Sequence, residues 1–214
     1  MPIITKMKID ILTLFPKMFD GPFNESIIGR AVGKSLVQVK IHDLRDWATD
    51  KHKSVDDKPY GGGAGMIMRV DIIDAAVNKL RTPNSKIILL DAGGEVFNQQ
   101  KSRKLSKLNH LILIAGHYEG VDHRVHEHLA DEVISIGNYV LTGGELPAMV
   151  IADTIVRLIP GVIDPESLKE ESFSPKISTE YPQYTRPEKF NNWEVPKVLL
   201  SGNHTEIEKW KKNN

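Results

Sequence analysis

The sequence contains no cysteine, and its lysines and arginines, 28 in total, are balanced by 28 aspartates and glutamates. The first absence excludes disulfides, thiolate nucleophiles and cysteine-ligated zinc. The charge balance excludes a strongly basic nucleic-acid coat and an acidic tail, but it allows a local basic patch. No stretch approaches the ~18 uncharged apolar residues of a membrane-spanning helix. We therefore expect a cytoplasmic protein with no membrane partner, in a reducing compartment that fits the absence of cysteine.

Short apolar runs alternate with segments of helical period along most of the chain. The runs rich in isoleucine, valine and leucine predict buried strands at residues 9–14, 37–41, 86–90, 111–115 and 133–136. The longest helical pattern extends from Pro147 to about Leu158, before the stop Pro160-Gly161. This alternation predicts an α/β fold, with a mostly parallel sheet covered by helices on both faces.

Four of the five residues 61–65 are glycine. Such a run lets backbone amides approach a ligand closely, or it forms a flexible surface turn, and the sequence leaves both interpretations open. His52, Asp56 and Asp57 precede the run and could contact a polar substrate.

Three histidines lie close together at positions 123, 126 and 128. Val121, Val125 and Leu129 already form the buried stripe of a helix there, which predicts that the histidines lie on a solvated face. The inverted zinc motif would also need histidine where Arg124 stands. We expect no metal site.

Three predicted strands end in turns that contain glycine, at residues 90–94, 116–120 and 135–144. In an open parallel sheet, ligands bind in the crevice beyond the carboxyl ends of the strands. The three turns could therefore converge on a small-molecule site. Their backbone groups would hydrogen-bond an adenine-like ring, and Tyr139 and Leu141 would cover it.

Six segments appear in an order that resembles one known family, the bacterial tRNA (guanine-N1)-methyltransferases called TrmD. They are VDDKPYGGGAGM (55–66), AGHYEGVDHRV (115–125), SIGNYVLTGGELPAM (135–149), RLIPGV (157–162), YTRP (184–187) and EVPKVLLSGNHTEIEKW (194–210). The resemblance covers nearly the whole chain. It implies a homodimeric SPOUT-class methyltransferase with a deep trefoil knot, which transfers a methyl group from S-adenosyl-L-methionine to tRNA. The acceptor in that family is N1 of the guanosine immediately 3′ of the anticodon.

The resemblance also implies roles for individual residues. The catalytic residues would be Arg157 and Glu171. The cofactor would be bound by Leu90, Gly94, Gly116, Tyr118, Glu119, Gly120, Ser135, Ile136, Gly137, Asn138, Tyr139, Val140, Leu141, Gly143 and Gly144. The tRNA substrate would contact His52, Asp56, Tyr60, Gly61, Arg186, Ser201, Asn203 and His204.

The same resemblance implies three regions. Residues 1–162 would form the SPOUT domain with its knotted cofactor pocket, residues 163–178 a linker, and residues 179–214 a small helical tRNA-binding region. Basic residues in this last region should contact phosphates: Arg186, Lys189, Lys197, Lys209, Lys211 and Lys212.

Several positions depart from the family pattern. Glu171 stands where the family has its aspartate base, and Glu170 beside it is the alternative. His117 replaces the usual arginine, Asn138 a common aspartate, and Asp91-Ala92 the usual serine-proline. These departures leave two other hypotheses: a non-catalytic module that binds tRNA or a nucleotide, and a methyltransferase that modifies a ribose 2′-hydroxyl. The segments YGGGAGM and YTRP argue against the latter.

Overall fold

The computed structural model describes residues 7–169, 171–174 and 179–213. The chain divides into two compact units, one ending at Pro165 and the other beginning at Glu166. The strands of the first unit are β1 (Met7–Thr13), β2 (Val37–Asp43), β3 (Asp56–Asp57), β4 (Ile67–Met68), β5 (Ser85–Val96), β6 (His110–Ala115) and β7 (Glu132–Ser135). Its α-helices are α1 (Ser26–Gly33), α2 (Val70–Leu80), α3 (Gln99–Leu105), α4 (His123–His128) and α5 (Glu145–Val156), and short 3-10 turns occupy Pro16–Phe19 and Leu44–Trp47.

Five of these strands form one sheet in the order β2-β1-β6-β5-β7. Every neighbouring pair in it is parallel, which confirms the predicted parallel α/β sheet. Side chains alternate across a strand, so β6 supplies two separate cores. Leu111 and Leu113 pack on the face covered by α1, α3 and α5, whereas Ile112 and Ile114 pack on the face of α2 and α4.

Strand β5 is longer than the apolar run that predicted it. It continues through Ala92, Gly93 and Gly94, where the sequence predicts a turn, and its pairing with β7 shifts register between Leu90 and Glu95. A Cβ atom on Gly94 would lie 2.6 Å from the backbone of β7, so only glycine fits this approach. The predicted turn is therefore an irregular part of strand β5. Pairing with β7 resumes at Glu95, so the strand continues beyond the glycines.

Helix α5 begins at Glu145 and ends at Val156, two residues earlier at each end than its predicted pattern. Its side chains from Ala148 to Val156 include five that are fully buried. Arg157 is the C-cap residue, and its amide donates to the carbonyl oxygen of Asp153 at 3.1 Å. The helix thus joins the end of the strand-ending loops to the residue that the family resemblance assigns to catalysis.

The second unit contains the hairpin β8 (Lys189–Phe190) and β9 (Trp193–Glu194), followed by α6 (Lys197–Leu200) and α7 (His204–Asn213). The side-chain oxygen of Asn203 accepts the amide of Glu206 at 3.3 Å, which is an N-terminal cap of α7. Tyr181 and Tyr184 place their rings 6.5 and 6.3 Å from that of Trp210. Within the described parts of both units, no helix has the length and apolar character that crossing a membrane requires.

Candidate functional site

A cleft of about 200 Å³ opens at the carboxyl end of the parallel sheet, beside β5, β6 and β7. Three loop segments converge on it, as the crevice rule for parallel sheets predicts. Its lining consists of Leu90, Asp91, Ala92, Gly116, His117, Tyr118, Glu119, Gly120, Val121, Ile134, Ser135, Ile136, Gly137, Tyr139, Val140, Leu141, Thr142, Gly143, Gly144 and Pro147. All the predicted cofactor residues except Gly94 and Asn138 are among them.

Two of the converging segments touch through their backbones. The amide of Gly144 donates to the carbonyl oxygen of Gly116 at 2.7 Å. A Cβ atom on Gly144 would lie 2.7 Å from the Cα atom of Ala115. Because any side chain would separate the two loops, the position requires glycine.

One rim of the cleft is apolar and exposed. Tyr139, Val140 and Leu141 are 55%, 86% and 37% exposed, although each is a large hydrophobic side chain. Ser135 also lines the cleft, and its hydroxyl donates to the carbonyl oxygen of Gly137 at 2.9 Å. Exposed apolar side chains next to backbone polar groups suit a flat heterocycle, which needs both a hydrophobic cover and hydrogen-bond partners.

The glycine run of residues 61–65 adjoins the cleft through its last member. Gly65 has φ +77°, and a Cβ atom there would collide with Cγ of Glu119, which lines the cleft. The amide of Glu119 donates to the carbonyl oxygen of Met66 at 3.1 Å. Gly61 and Gly62 have positive φ values, but a Cβ atom on either would meet no atom within 4 Å. Gly61 and Gly62 therefore lie in an exposed turn, whereas Gly65 packs closely against the side chain of Glu119.

Tyr118 connects the cleft to the strand that carries Asp56. Its backbone has φ +61°, an unusual conformation for a residue with a Cβ atom. Burial raises the pKa of the Tyr118 hydroxyl, and the nearby carboxylate of Asp56 raises it further, while Arg45 acts in the opposite direction. The hydroxyl is thus a hydrogen-bond donor at neutral pH, next to a predicted substrate residue.

His117 stands where the resembling family has arginine, and it lies over a buried carboxylate. Its Nδ1 atom is 3.5 Å from Oε2 of Glu145, which is 1% exposed. Oε1 of the same glutamate accepts the Thr13 hydroxyl at 2.8 Å. The His117 ring also packs 4.6 Å from that of Phe15. The side chain is therefore held by contacts from α5 and from the segment that follows β1.

The prediction that the histidines of residues 123–128 lie on a solvated face is correct for two of them and wrong for the third. The side chains of His123 and His128 are 77% and 71% exposed. The side chain of His126 is only 20% exposed, and its Nε2 atom lies 3.3 Å from Oδ2 of Asp91. The helical stripe could not reveal this contact, because Asp91 comes from a different element, the strand β5.

Seven residues of the lining are not among the individually predicted cofactor residues. They are Asp91, Ala92, His117, Val121, Ile134, Thr142 and Pro147. Four of the seven lie within the three turns that the sequence predicts to form the site, and only Val121, Ile134 and Pro147 lie outside those turns. Conversely, Gly94 packs against β7, and Asn138 lies outside the lining.

The remaining predicted site residues fall in both units. Arg157 is partly buried at the end of α5. Glu171 is partly buried in a turn of the second unit, where its carbonyl oxygen accepts the amide of Ser174 at 3.2 Å. The alternative base Glu170 lies outside the described residues. Asp56 is partly buried in β3, and the other predicted substrate residues are exposed: His52, Tyr60, Gly61, Arg186, Ser201, Asn203 and His204.

Comparison with known proteins gives consistent matches. Residues 7–214 match the family described as tRNA (Guanine-1)-methyltransferase TrmD. A protein of Dictyoglomus turgidum named tRNA (guanine-N(1)-)-methyltransferase is 56% identical over 207 residues, which cover 96% of this chain and 84% of that protein. Proteins of the same name from Chloroflexus aggregans and Carboxydothermus hydrogenoformans are 53% and 54% identical, covering 97% and 96% of this chain and 82% and 81% of their own lengths.

Proposed function

This chain belongs to the TrmD family of tRNA (guanine-1)-methyltransferases, and we propose on that premise that it moves a methyl group from S-adenosyl-L-methionine to N1 of the guanosine immediately 3′ of the anticodon. Methyl transfer to tRNA guanine N1 is the activity named for relatives that are identical to it at more than half of the aligned positions. The single observation that supports the donor is the cleft, because strand-ending turns that the sequence assigns to a cofactor line it together.

The residues of the cleft fit the proposed donor. The exposed apolar rim formed by Tyr139, Val140 and Leu141 suits adenine. Glycines at positions 116 and 144 let the segments that line the cleft approach one another, because a Cβ atom at either position would crowd a neighbouring segment. When bound, S-adenosylmethionine supplies a methyl group on a positively charged sulfur.

The residues proposed for catalysis have distinct tasks. Guanine N1 carries a proton that must leave as the nitrogen attacks the methyl carbon. We assign acceptance of this proton to the carboxylate of Glu171, in the place of the family's aspartate. Negative charge develops toward O6, and the guanidinium of Arg157 is suited to stabilise it. Holding both reactants in line contributes much of the remaining rate increase.

The proposal extends to assembly and to the second unit. Leu146 and Val150 are 48% and 44% exposed and lie four residues apart on α5, which supports a homodimer that covers this apolar face. We assign tRNA binding to the second unit and a cytoplasmic location to the enzyme. The deep trefoil knot of the resembling family is also part of the proposal, and the tight approach of Gly144 to Ala115 and Gly116 is compatible with it.

Incubation with methyl-labelled donor and an unmodified tRNA transcript tests this function. We expect label at N1 of the guanosine 3′ of the anticodon, detected as a block to reverse transcription and by mass spectrometry of nucleosides. A transcript with adenosine at that position is the matched control and should stay unlabelled. Label on a ribose would support the 2′-hydroxyl hypothesis instead. Binding of tRNA and donor without transfer would support the non-catalytic module.

A further inference from the structure

Asp91 places a carboxylate at the cleft where β5 departs from regular pairing with β7. Its side chain is 33% exposed, and its two oxygens have different partners. Oδ1 accepts the amide of Gly93 at 2.8 Å, and Oδ2 faces Nε2 of His126 at 3.3 Å. A carboxylate has about four acceptor positions, so further ones remain for a ligand.

His126 is placed to orient this carboxylate. Its Nδ1 atom is buried and has no hydrogen-bond partner among the described residues. A proton on Nδ1 would leave a buried donor unpaired, which is costly, so we assign the proton to Nε2. The Nε2–H group then donates toward Asp91. The ring of His123, stacked at 5.0 Å, covers one side of the His126 ring.

The charges that line the cleft have one sign. Asp91 and Glu119 are its acidic side chains, and none of the residues that line it is lysine or arginine. A partly enclosed lining that carries carboxylates and neither lysine nor arginine favours a positively charged ligand over a neutral one of the same shape. Methyl transfer changes this property of the ligand: the sulfur–methyl bond breaks, the N1–methyl bond forms, and the N1 proton goes to the base. The sulfonium of the donor becomes the neutral thioether of S-adenosylhomocysteine.

We propose that Asp91 is a specificity-determining residue, which makes the cleft bind the sulfonium donor in preference to the thioether product, with His126 as its positioning residue. This inference rests on the proposed function and concerns the same site. Neither the contact between Asp91 and the backbone of Gly93 nor the fold itself requires this role. By weakening the product relative to the donor, the carboxylate also reduces product inhibition.

Calorimetric titration of the 214-residue protein with S-adenosylmethionine and with S-adenosylhomocysteine tests the proposal. In Asp91→Asn, which keeps the size of the side chain, the preference for the donor should fall about fivefold, as expected for the loss of one unit charge from a partly solvated site. The product affinity should stay nearly constant. Glu127→Gln is the matched control, because Glu127 lies on the same helix as His126, is 54% exposed and is absent from the cleft lining. In Glu127→Gln, the ratio of donor affinity to product affinity should equal that of the wild type.

The role of His126 has a separate readout. His126→Phe should reduce the donor preference toward that of Asp91→Asn, and His126→Gln, which retains an N–H donor, should restore it. An unchanged ratio in Asp91→Asn, or an equal loss of affinity for both ligands, would overturn the inference, since a hydrogen bond to the shared ribose would weaken both. A wild-type protein that binds neither ligand would contradict the proposed function instead.

Discussion

The amide of Gly144 lies 2.7 Å from the carbonyl oxygen of Gly116, so the loop that enters α5 meets the loop that leaves β6 through a direct backbone hydrogen bond. Gly144→Ala would place a methyl group 2.7 Å from the Cα atom of Ala115. We expect the free energy of unfolding to fall by about 1–3 kcal/mol and the donor to lose most of its affinity. Denaturant titration and calorimetry measure the two effects. Gly33→Ala is the control, since no atom lies within 4 Å there, and it should not weaken the fold.

Gly65→Ala tests whether the glycine run serves the cleft. The added methyl group would collide with the side chain of Glu119, in addition to the strain of φ +77°. Gly62→Ala has nearly the same strain, at φ +81°, but meets no atom within 4 Å. Donor affinity, measured by calorimetry, should fall at least about tenfold further in Gly65→Ala than in Gly62→Ala, which corresponds to ~1.4 kcal/mol. Equal losses in the two variants would show that the run acts only as a turn.

The contacts of Asp10 predict how the free energy of unfolding depends on pH. It is fully buried in β1, where its carboxylate lies 2.7 Å from His42, 2.7 Å from His110 and 2.6 Å from Lys8. Burial raises the pKa of Asp10, but the hydrogen bonds from these three partners outweigh it, and the net pKa lies well below its ordinary value. A lowered pKa in the folded state stabilises the fold above the ordinary pKa of aspartate, near 3.8, and this contribution is lost as the pH falls toward the folded-state pKa.

Asp10→Asn should therefore lower the free energy of unfolding by about 3 kcal/mol at pH 7, because it removes the buried carboxylate that His42, His110 and Lys8 contact. The difference between the variant and the wild type should shrink at pH values below about 3. Denaturant titrations over this range measure it. The exposed Asp20→Asn serves as the control, and a variant as stable as the wild type would contradict the role of the buried carboxylate.

Substitutions of the proposed catalytic residues should change the rate of methyl transfer much more than the affinity for the donor. Glu171→Gln keeps the shape of the side chain but removes the proton acceptor, so we expect transfer to slow by about 10²–10⁴-fold. Arg157→Ala should abolish detectable transfer and leave donor affinity within a few-fold. Single-turnover transfer and calorimetry provide the two readouts. Glu170→Gln is the matched control for Glu171, and a larger defect in Glu170→Gln would assign the base to that residue.

Phosphate contacts of the second unit should show as a salt dependence of tRNA binding. The structure divides four of the six predicted basic residues into two groups. Lys189, Lys209 and Lys211 lie within 2.8–3.2 Å of glutamates, which compete with phosphate, whereas no such glutamate contact occurs for Arg186 within the described chain. Arg186→Gln should reduce the slope of log affinity against log salt by about 1. Lys189→Gln should reduce it less, and the reverse order would contradict this division.

Much of the fold could be predicted because its signals are local. Apolar runs of strand length and helical stripes depend on neighbours within about four residues, and the structure has these elements close to their expected places. The strand-ending turns could be predicted for a related reason, because a parallel sheet brings its carboxyl ends to one edge. The contribution of Val121, Ile134 and Pro147 to the cleft came only with the fold, and so did the continuation of β5 through its glycines.

By itself the sequence determined the parallel α/β architecture, the family and the segments that meet at the cleft. The tertiary structure decided which side chains act on one another there and in the sheet: Asp91 with His126, Gly65 with Glu119, and Asp10 with two histidines. Asp91 and His126 are 35 residues apart in the chain, and Asp10 and His110 are 100 apart. Periodicity and caps report on short-range order, whereas such contacts depend on strand order and register, which only the packed sheet establishes.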